Sequence, residues 1–199
     1  MGIQTGTENN RVYIWRYPEE EFKEDCCNAT HKSGFKKIKI WGSMQYGSLS
    51  NLILLSDNEK GQFTGGEYVK QIMDGELFKR WAEGMEELGD ILIMEDGAGY
   101  HCGAATLRRD QYLKDGWQGW GPRIWSASSS DLNPLENLWH LLHTNIKKRE
   151  PKSMKKDELI KAVQEEWAKM DMNMVNSLIN SMPARMQAVI DANGGTTHY

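Results

Sequence analysis

Hydrophobic and polar residues alternate in the first quarter of the chain, and the period then lengthens. In "RVYIWRY" (11–17) Val12 and Ile14 alternate with Tyr13 and Trp15, and in "KKIKIW" (36–41) Ile38 and Ile40 alternate with lysines. That is the two-residue period of strands with one buried face. "GSLSNLILLS" (47–56) follows a glycine-containing turn, and together these segments predict two or three antiparallel strands. A helix is expected from "TGGEYVKQIM", where Thr64 and Glu67 have the spacing of a reciprocal N-terminal cap, and it should run on through "LFKRWAEGMEEL". After Gly89 the continuous apolar run "ILIM" (91–94) reads as a strand buried on both faces.

Further along, the pattern predicts a helix over 103–114, a Gly/Trp-rich loop "DGWQGWG" (115–121) and a short strand "RIW" (123–125). Pro134 then leads into a helix from about Leu135 to Arg149, since proline near a helix start blocks no needed hydrogen bond. Strands alternating with helices imply an α/β arrangement with a parallel portion of sheet. The remainder is helical: Leu159, Ile160, Val163, Trp167 and Met170 recur at three and four, as do Val175, Leu178, Ile179 and Met182, then Met186, Val189 and Ile190. Pro183 separates the last two stripes, and Asn193-Gly194-Gly195 is a stop signal. These stripes read as core packing.

Composition narrows the class. A chain of 199 residues with 39% hydrophobic content and eight tryptophans is a folded domain, or one domain with a helical appendage. With no apolar run near the roughly 18 residues a span needs, and no secretory pattern at the start, the expectation is a soluble intracellular protein. Cys26, Cys27 and Cys102 are too few and wrongly spaced for a disulfide framework or a Cys-only zinc site. The net charge of −4 excludes a surface that grips nucleic acid everywhere. Local contact is left to Lys36, Lys37 and Lys39, or to the cluster Lys147, Lys148, Arg149, Lys152, Lys155 and Lys156, each equally readable as a solvated face.

Two acids carry the candidate chemistry. In open α/β sheets, ligands bind beyond the carboxyl ends of strands. Asp96 follows such an end, and Glu136 opens the helix after the next strand. Converging carboxylates repel unless a cation intervenes, and oxygen donors suit Mg²⁺ or Mn²⁺, which in pairs support phosphoryl displacement. The alternative stays open that Asp96 forms a turn and Glu136 merely favours a helix N-terminus.

The wording of the motifs goes further than their spacing. "MEDGAGYH" (94–101) resembles a motif with a central catalytic Asp and a His five residues on, and "SSSDLNPLENLW" (128–139) resembles an "SPDLNPxENLW" signature. "YIWRYPEE", "KIWGSMQYG", "TGGEYV", the "EEW" helix and the ending "SMPARMQAVIDANGGTTHY" are similar, in the same order, to the catalytic domain of mariner-superfamily DDE transposases. The resemblance implies a ribonuclease-H-like mixed sheet flanked by helices, with a helical C-terminal extension, divided as 1–150 for the catalytic domain and 151–199 for the extension. It implies three carboxylates holding two Mg²⁺ or Mn²⁺ ions for DNA cleavage and strand transfer, with Asp96 and Glu136 as the second and third. DNA, as transposon ends and target, is the implied partner, a homodimer the implied assembly, and the nucleus the implied location, to which "KKREPKSMKK" (147–156) could contribute an import signal.

Three features depart from that pattern. Gly97 stands for the usual Asn and Ser130 for the usual Pro, and residues 97–135, 39 in number, make a longer interval than the family's commonest one. The first catalytic Asp of the family belongs to a strand ahead of the segment that "MGIQTGTENNRVYIWR" resembles. The expectation is therefore a catalytic domain without its first strand and first Asp, inactive alone, with a non-catalytic remnant or co-opted DNA- or protein-binding module as the alternative.

Other constellations are weaker. Glu136, His140 and His143 share a helix face and, with His101 or Cys102, could make a zinc site, though no HExxH is present. His101 is also a candidate to orient the metal site or the DNA. Ser128, Ser129 and Ser130 lack a nucleophile elbow. Trp117, Trp120 and Trp125 are readable either as base-stacking or as packing residues.

Overall fold

The computed structural model describes residues 2–5, 36–89, 93–107, 129–149 and 155–199. Strand β2 (Lys36–Trp41) is the organising element, pairing antiparallel with β1 (Gly2–Thr5) on one side and β5 (Ile53–Leu55) on the other. The register sets Gly2 against Lys39 and Trp41 against Ile53. Between them, β3 (Met44–Gln45) and β4 (Ser48–Leu49) form a hairpin whose loop places Gly47 at φ 74°, a left-handed conformation that tight hairpin turns need.

The expected antiparallel strand at 36–41 is thus present, while 47–56 divides into β4 and β5, which pair in different sheets. β1 is an addition: nothing in the Gly- and Asn-rich first ten residues predicted a strand there. The expected strands at 11–17 and 123–125, the loop at 115–121, and residues 91 and 92 of the "ILIM" run lie outside the described residues. Both sheets seen among the described residues are antiparallel, and the expected parallel portion falls on those other segments.

Thr64 caps the next helix, its Oγ1 accepting from the Glu67 N–H at 3.4 Å. The Glu67 carboxylate accepts from Gln71. The helix runs as α1 (Gly65–Tyr68), a π-helical stretch Val69–Leu77 and α2 (Phe78–Leu88), ending at Gly89 with φ 77°. Helix α3 (Gly99–Leu107) begins four residues before the predicted start, and 108–114 lie outside the described residues. α1 crosses α3 where two glycines meet. A Cβ on Gly65 would stand 2.6 Å from backbone atoms of Gly103 and Ala104, so only a residue without a side chain permits this approach.

The helical remainder follows the predicted stripes: α4 (Leu135–Lys148), α5 (Lys156–Ala168), α6 (Met172–Asn180) and α7 (Met182–Asp191), with Pro183 in the first turn of α7. Asn193 and Gly194 end the last helix at positive φ. Asp171 caps α6 by accepting from the Asn173 N–H.

Strand alternation makes β2 the partition between two cores. Ile38 and Ile40 pack with Leu138, Trp139 and Leu142 of α4 and with Leu159, Val163 and Trp167 of α5. On the other side Trp41, Ile53 and Leu55 meet Tyr68, Ile72 and Leu77. Helices therefore cover both faces of the sheet, and a cleft opens at the end where Trp41, residues 93–96 and the start of α4 come together.

Candidate active site

The motif "MEDGAGYH" gives its two acids different surroundings on the wall of one cleft. Glu95 is buried and accepts a hydrogen bond from the Tyr68 hydroxyl at 2.5 Å. Asp96, its neighbour, turns outward with its side chain 52% exposed. Its Oδ1 accepts from the Ala98 N–H at 3.0 Å and lies 2.7 Å from His101 Nδ1. The imidazole is buried between the rings of Tyr68 and Tyr100, at 4.6 and 4.5 Å between centroids. Its Nε2 has no hydrogen-bond partner among the described residues, and Nδ1, facing an ionised carboxylate that can only accept, is the nitrogen that donates to Asp96. That hydrogen bond, reinforced by the Ala98 N–H, holds the Asp96 carboxyl below its ordinary value despite partial burial.

The second motif delivers Glu136. Residues Ser130–Leu132 make a single tight turn, Asn133 Oδ1 accepts from the Leu135 N–H at 3.2 Å, and the buried Pro134 starts α4. Glu136 is the second residue of that helix, where a carboxylate meets the positive end of the helix dipole. Even so, its carboxyl is raised above the ordinary glutamate value, first by desolvation at the cleft wall and then by the charge of Asp96. The two acids feel each other. Tyr100, beside both, is pushed up to about 12 by burial and by the charges of Asp96, Glu95 and Glu136, and its phenol stays neutral at physiological pH.

Asp96 and Glu136 line one cleft of about 450 Å³, shared with Trp41, Tyr100, Arg80 and Trp81. The donor set fits a hard divalent cation: carboxylate oxygens facing solvent, one held ionised by hydrogen bonds and the other destabilised as an anion by its neighbour. Such ions are commonly held by one or two carboxylates completed by water and phosphate oxygens. Among the described residues no group of three or more His, Cys, Asp or Glu side chains converges as a metal cluster. This corrects the zinc alternative: His140 points to solvent one turn beyond Glu136 and His143 is half-buried two turns beyond it, so a shared helix face does not bring these rings into the cleft.

The structure brings together Asp96, Glu136 and His101, as the two motifs implied. It adds Glu95, Tyr68 and Arg80, which the sequence did not single out. A signal existed for Glu95, an acid closing an apolar run. None existed for Arg80, whose Nη2 donates to Ser48 Oγ at 3.2 Å on the far wall of the cleft.

No family model matches the chain. Solved structures of the catalytic domain of Mos1 mariner transposase superpose over 82% of this chain and 76% of theirs, with a TM-score of 0.63 at 16% identity. The same domain with raltegravir and Mg gives 0.61 at 17% identity. Identity that low establishes the fold alone, that of a ribonuclease-H-like catalytic domain. Sequence relatives go further: the Tc1 transposase of Caenorhabditis elegans is 39% identical over 75 residues, and the Tc3 transposase of the same organism is 31% identical over 193 residues, 94% of this chain. The chain belongs to the mariner superfamily of DDE transposases and corresponds to their catalytic domain. Its matches span 27% of the length of the Tc1 protein and 52% of the Tc3 protein.

Proposed function

We propose that this is a transposase-derived nuclease domain that cleaves DNA, with Asp96 and Glu136 as carboxylates that hold Mg²⁺ or Mn²⁺. The observation that carries the reading is the convergence of these two acids, with 39 residues between them in the chain, on a single cleft. Divalent ions there would supply Lewis-acid charge to a phosphodiester during its displacement by water or by a freed 3′-hydroxyl. The chain's own residues do the preparatory work. His101 keeps Asp96 ionised and aimed, the α4 N-terminus fixes Glu136, and Trp41, Tyr100 and Trp81 wall the cleft.

The sheet supports the same reading: the antiparallel pairing of β1 with β2 sets Gly2 opposite Lys39, two residues from Trp41 on the cleft wall. We assign 1–150 to the catalytic domain and 151–199 to its helical extension, supported by the core that Leu159, Val163, Trp167 and Val175 share with β2. The native setting in this reading is nuclear, with two copies pairing transposon ends on target DNA.

A second reading is a module that keeps the fold and binds DNA or protein without cutting, and it is favoured by the lack, among the described residues, of any group of three or more His, Cys, Asp or Glu side chains placed to hold a metal ion. Plasmid nicking in Mn²⁺ separates the two. Expressed from its native coding sequence, the protein should nick, and Asp96→Asn or Glu136→Gln should lower the rate at least about 10²-fold, in line with loss of metal-assisted charge stabilisation. Nicking indifferent to both substitutions would sink the nuclease assignment, and no nicking at all would favour the binding module.

A further inference from the structure

The segment that carries Glu136 is gripped from behind by the last helix and the final residues of the chain. Arg185 of α7 is only 3% exposed, and its guanidinium is committed to three acceptors. Nε donates to Ser181 Oγ at 2.8 Å, Nη1 to the Asp131 carbonyl oxygen at 2.7 Å, and Nη2 to Asn137 Oδ1 at 2.8 Å. The ring of Tyr199 lies 4.7 Å from the guanidinium carbon, and Thr197 Oγ1 donates to Asp131 Oδ2 at 3.0 Å. Asp131 and Asn137 bracket Glu136: the first sits in the turn that leads into α4, and the second is the next residue of the helix.

Among the described residues all three direct acceptors of this buried cation are neutral groups, and the Asp131 carboxylate, bonded to Thr197, acts on it only through space. A desolvated guanidinium without a carboxylate on its fork is a costly way to stabilise a fold, and its return is geometric. The planar fork fixes two directions at once, which a lysine ammonium cannot do. One prong holds the turn before α4 and another holds the first turn of α4 itself.

The geometry points to Arg185 as a positioning residue for Glu136, with Thr197 and Tyr199 closing a C-terminal clasp over the same segment. This rests on the reading of Glu136 as a metal-holding carboxylate. Arg185 touches neither metal nor DNA in this scheme; it acts by fixing where the α4 N-terminus points. The closing motif "SMPARMQAVIDANGGTTHY" thereby acquires a task at the cleft, although its residues lie 45 or more positions after Glu136.

The test uses the full chain with Arg185→Lys and Thr197→Val, read by amide hydrogen exchange and by titration with Mn²⁺ alone. Arg185→Lys should speed exchange at least about tenfold at residues 135–138 while leaving 159–167 as in the wild type. It should weaken Mn²⁺ binding by about 10–100-fold, as loss of an outer support does. Thr197→Val should shift both in the same direction by less, and it carries the test should Arg185→Lys fail to fold. Wild-type exchange at 135–138, or faster exchange spread equally over both helices, would overturn the proposal. So would unchanged Mn²⁺ affinity in a protein whose affinity falls on Glu136→Gln. If Mn²⁺ binding ignores both Asp96→Asn and Glu136→Gln, the metal reading has failed separately, and the exchange pattern alone decides the clasp.

Discussion

Trp139 of α4 stacks on Trp167 of α5, with ring centroids 5.0 Å apart and planes inclined by 21°. Trp139 lies three residues after Glu136, so this stack anchors the helix that delivers the acid. Trp167 is anchored in turn, its Nε1 donating to the Ser50 carbonyl at 2.8 Å. Gly42 closes the arrangement: a Cβ there would stand 2.9 to 3.1 Å from the two indole rings. Gly42→Ala should therefore destabilise by about 1–3 kcal/mol, the range for overpacking, in urea denaturation, with a loss of near-ultraviolet tryptophan dichroism. A wild-type midpoint would show that the stack yields freely.

Gly65 is tighter still, because its neighbours are backbone atoms of α3 rather than side chains. Gly65→Ala must push α1 and α3 apart, and α3 carries His101. The expected outcome is a loss at the upper end of about 1–3 kcal/mol, with faster amide exchange concentrated in 99–107. Gly66→Ala, where the nearest atom is 3.7 Å away, should be mild by comparison.

The raised Glu136 carboxyl has a stability signature. The native state keeps this proton to higher pH than the unfolded chain, so stability declines as pH rises from the ordinary glutamate value through the raised one, and the full penalty is present above it. Glu136→Gln removes the penalty. Without divalent cation the variant should melt above wild type at pH 7 by at most about 2–4 °C, since solvent screens a partly exposed carboxylate. The two should converge below about pH 4, where glutamate is protonated in both states. Adding Mn²⁺ should favour the wild type, and a variant that melts lower throughout would contradict the repulsion.

Asp96 behaves in the opposite sense. Its depressed value contributes stability that is present above the unfolded aspartate value and lost as pH falls through the folded one. His101→Ala removes the leading cause of that depression. The Asp96 carboxyl, followed by carbon-13 NMR, should titrate at higher pH in the variant, and Mn²⁺ affinity should drop by about tenfold or more. An unmoved Asp96 titration would mean that the Ala98 N–H suffices.

How far the sequence disclosed this arrangement depended on how local each cause was. Ile38 and Ile40, the Thr64 cap and the stripe through Leu159, Val163 and Trp167 follow from spacing over a few residues, and all appear where the pattern put them. β1 was missed because Gly2–Thr5 owes its strand form to pairing with β2, not to its own alternation. Helix α3 starts at Gly99, ahead of its predicted start at 103, just past the turn in which the Asp96 carboxylate accepts from the Ala98 N–H. The Glu136, His140 and His143 spacing was genuine, yet a helix face is wider than a cleft. Arg185 depends on partners 48 and 54 residues earlier in the chain, a distance over which periodicity carries no information.

The π-helical stretch Val69–Leu77 has a consequence for phase. From Tyr68 to Leu77 is nine steps, about two and a half turns of α-helix, which would leave the two side chains on opposite sides. Hydrogen bonding from i to i+5 widens the turn so that the same nine steps make about two turns, and Tyr68 and Leu77 come back into alignment. Arg80 and Trp81, one α-turn past Leu77, inherit that alignment, and all four line the cleft. The wide turns act as a vernier between two ends of one helix, keeping both on the wall of the cleft that Asp96 and Glu136 share, across a distance at which an unbroken α-helix would have drifted half a revolution.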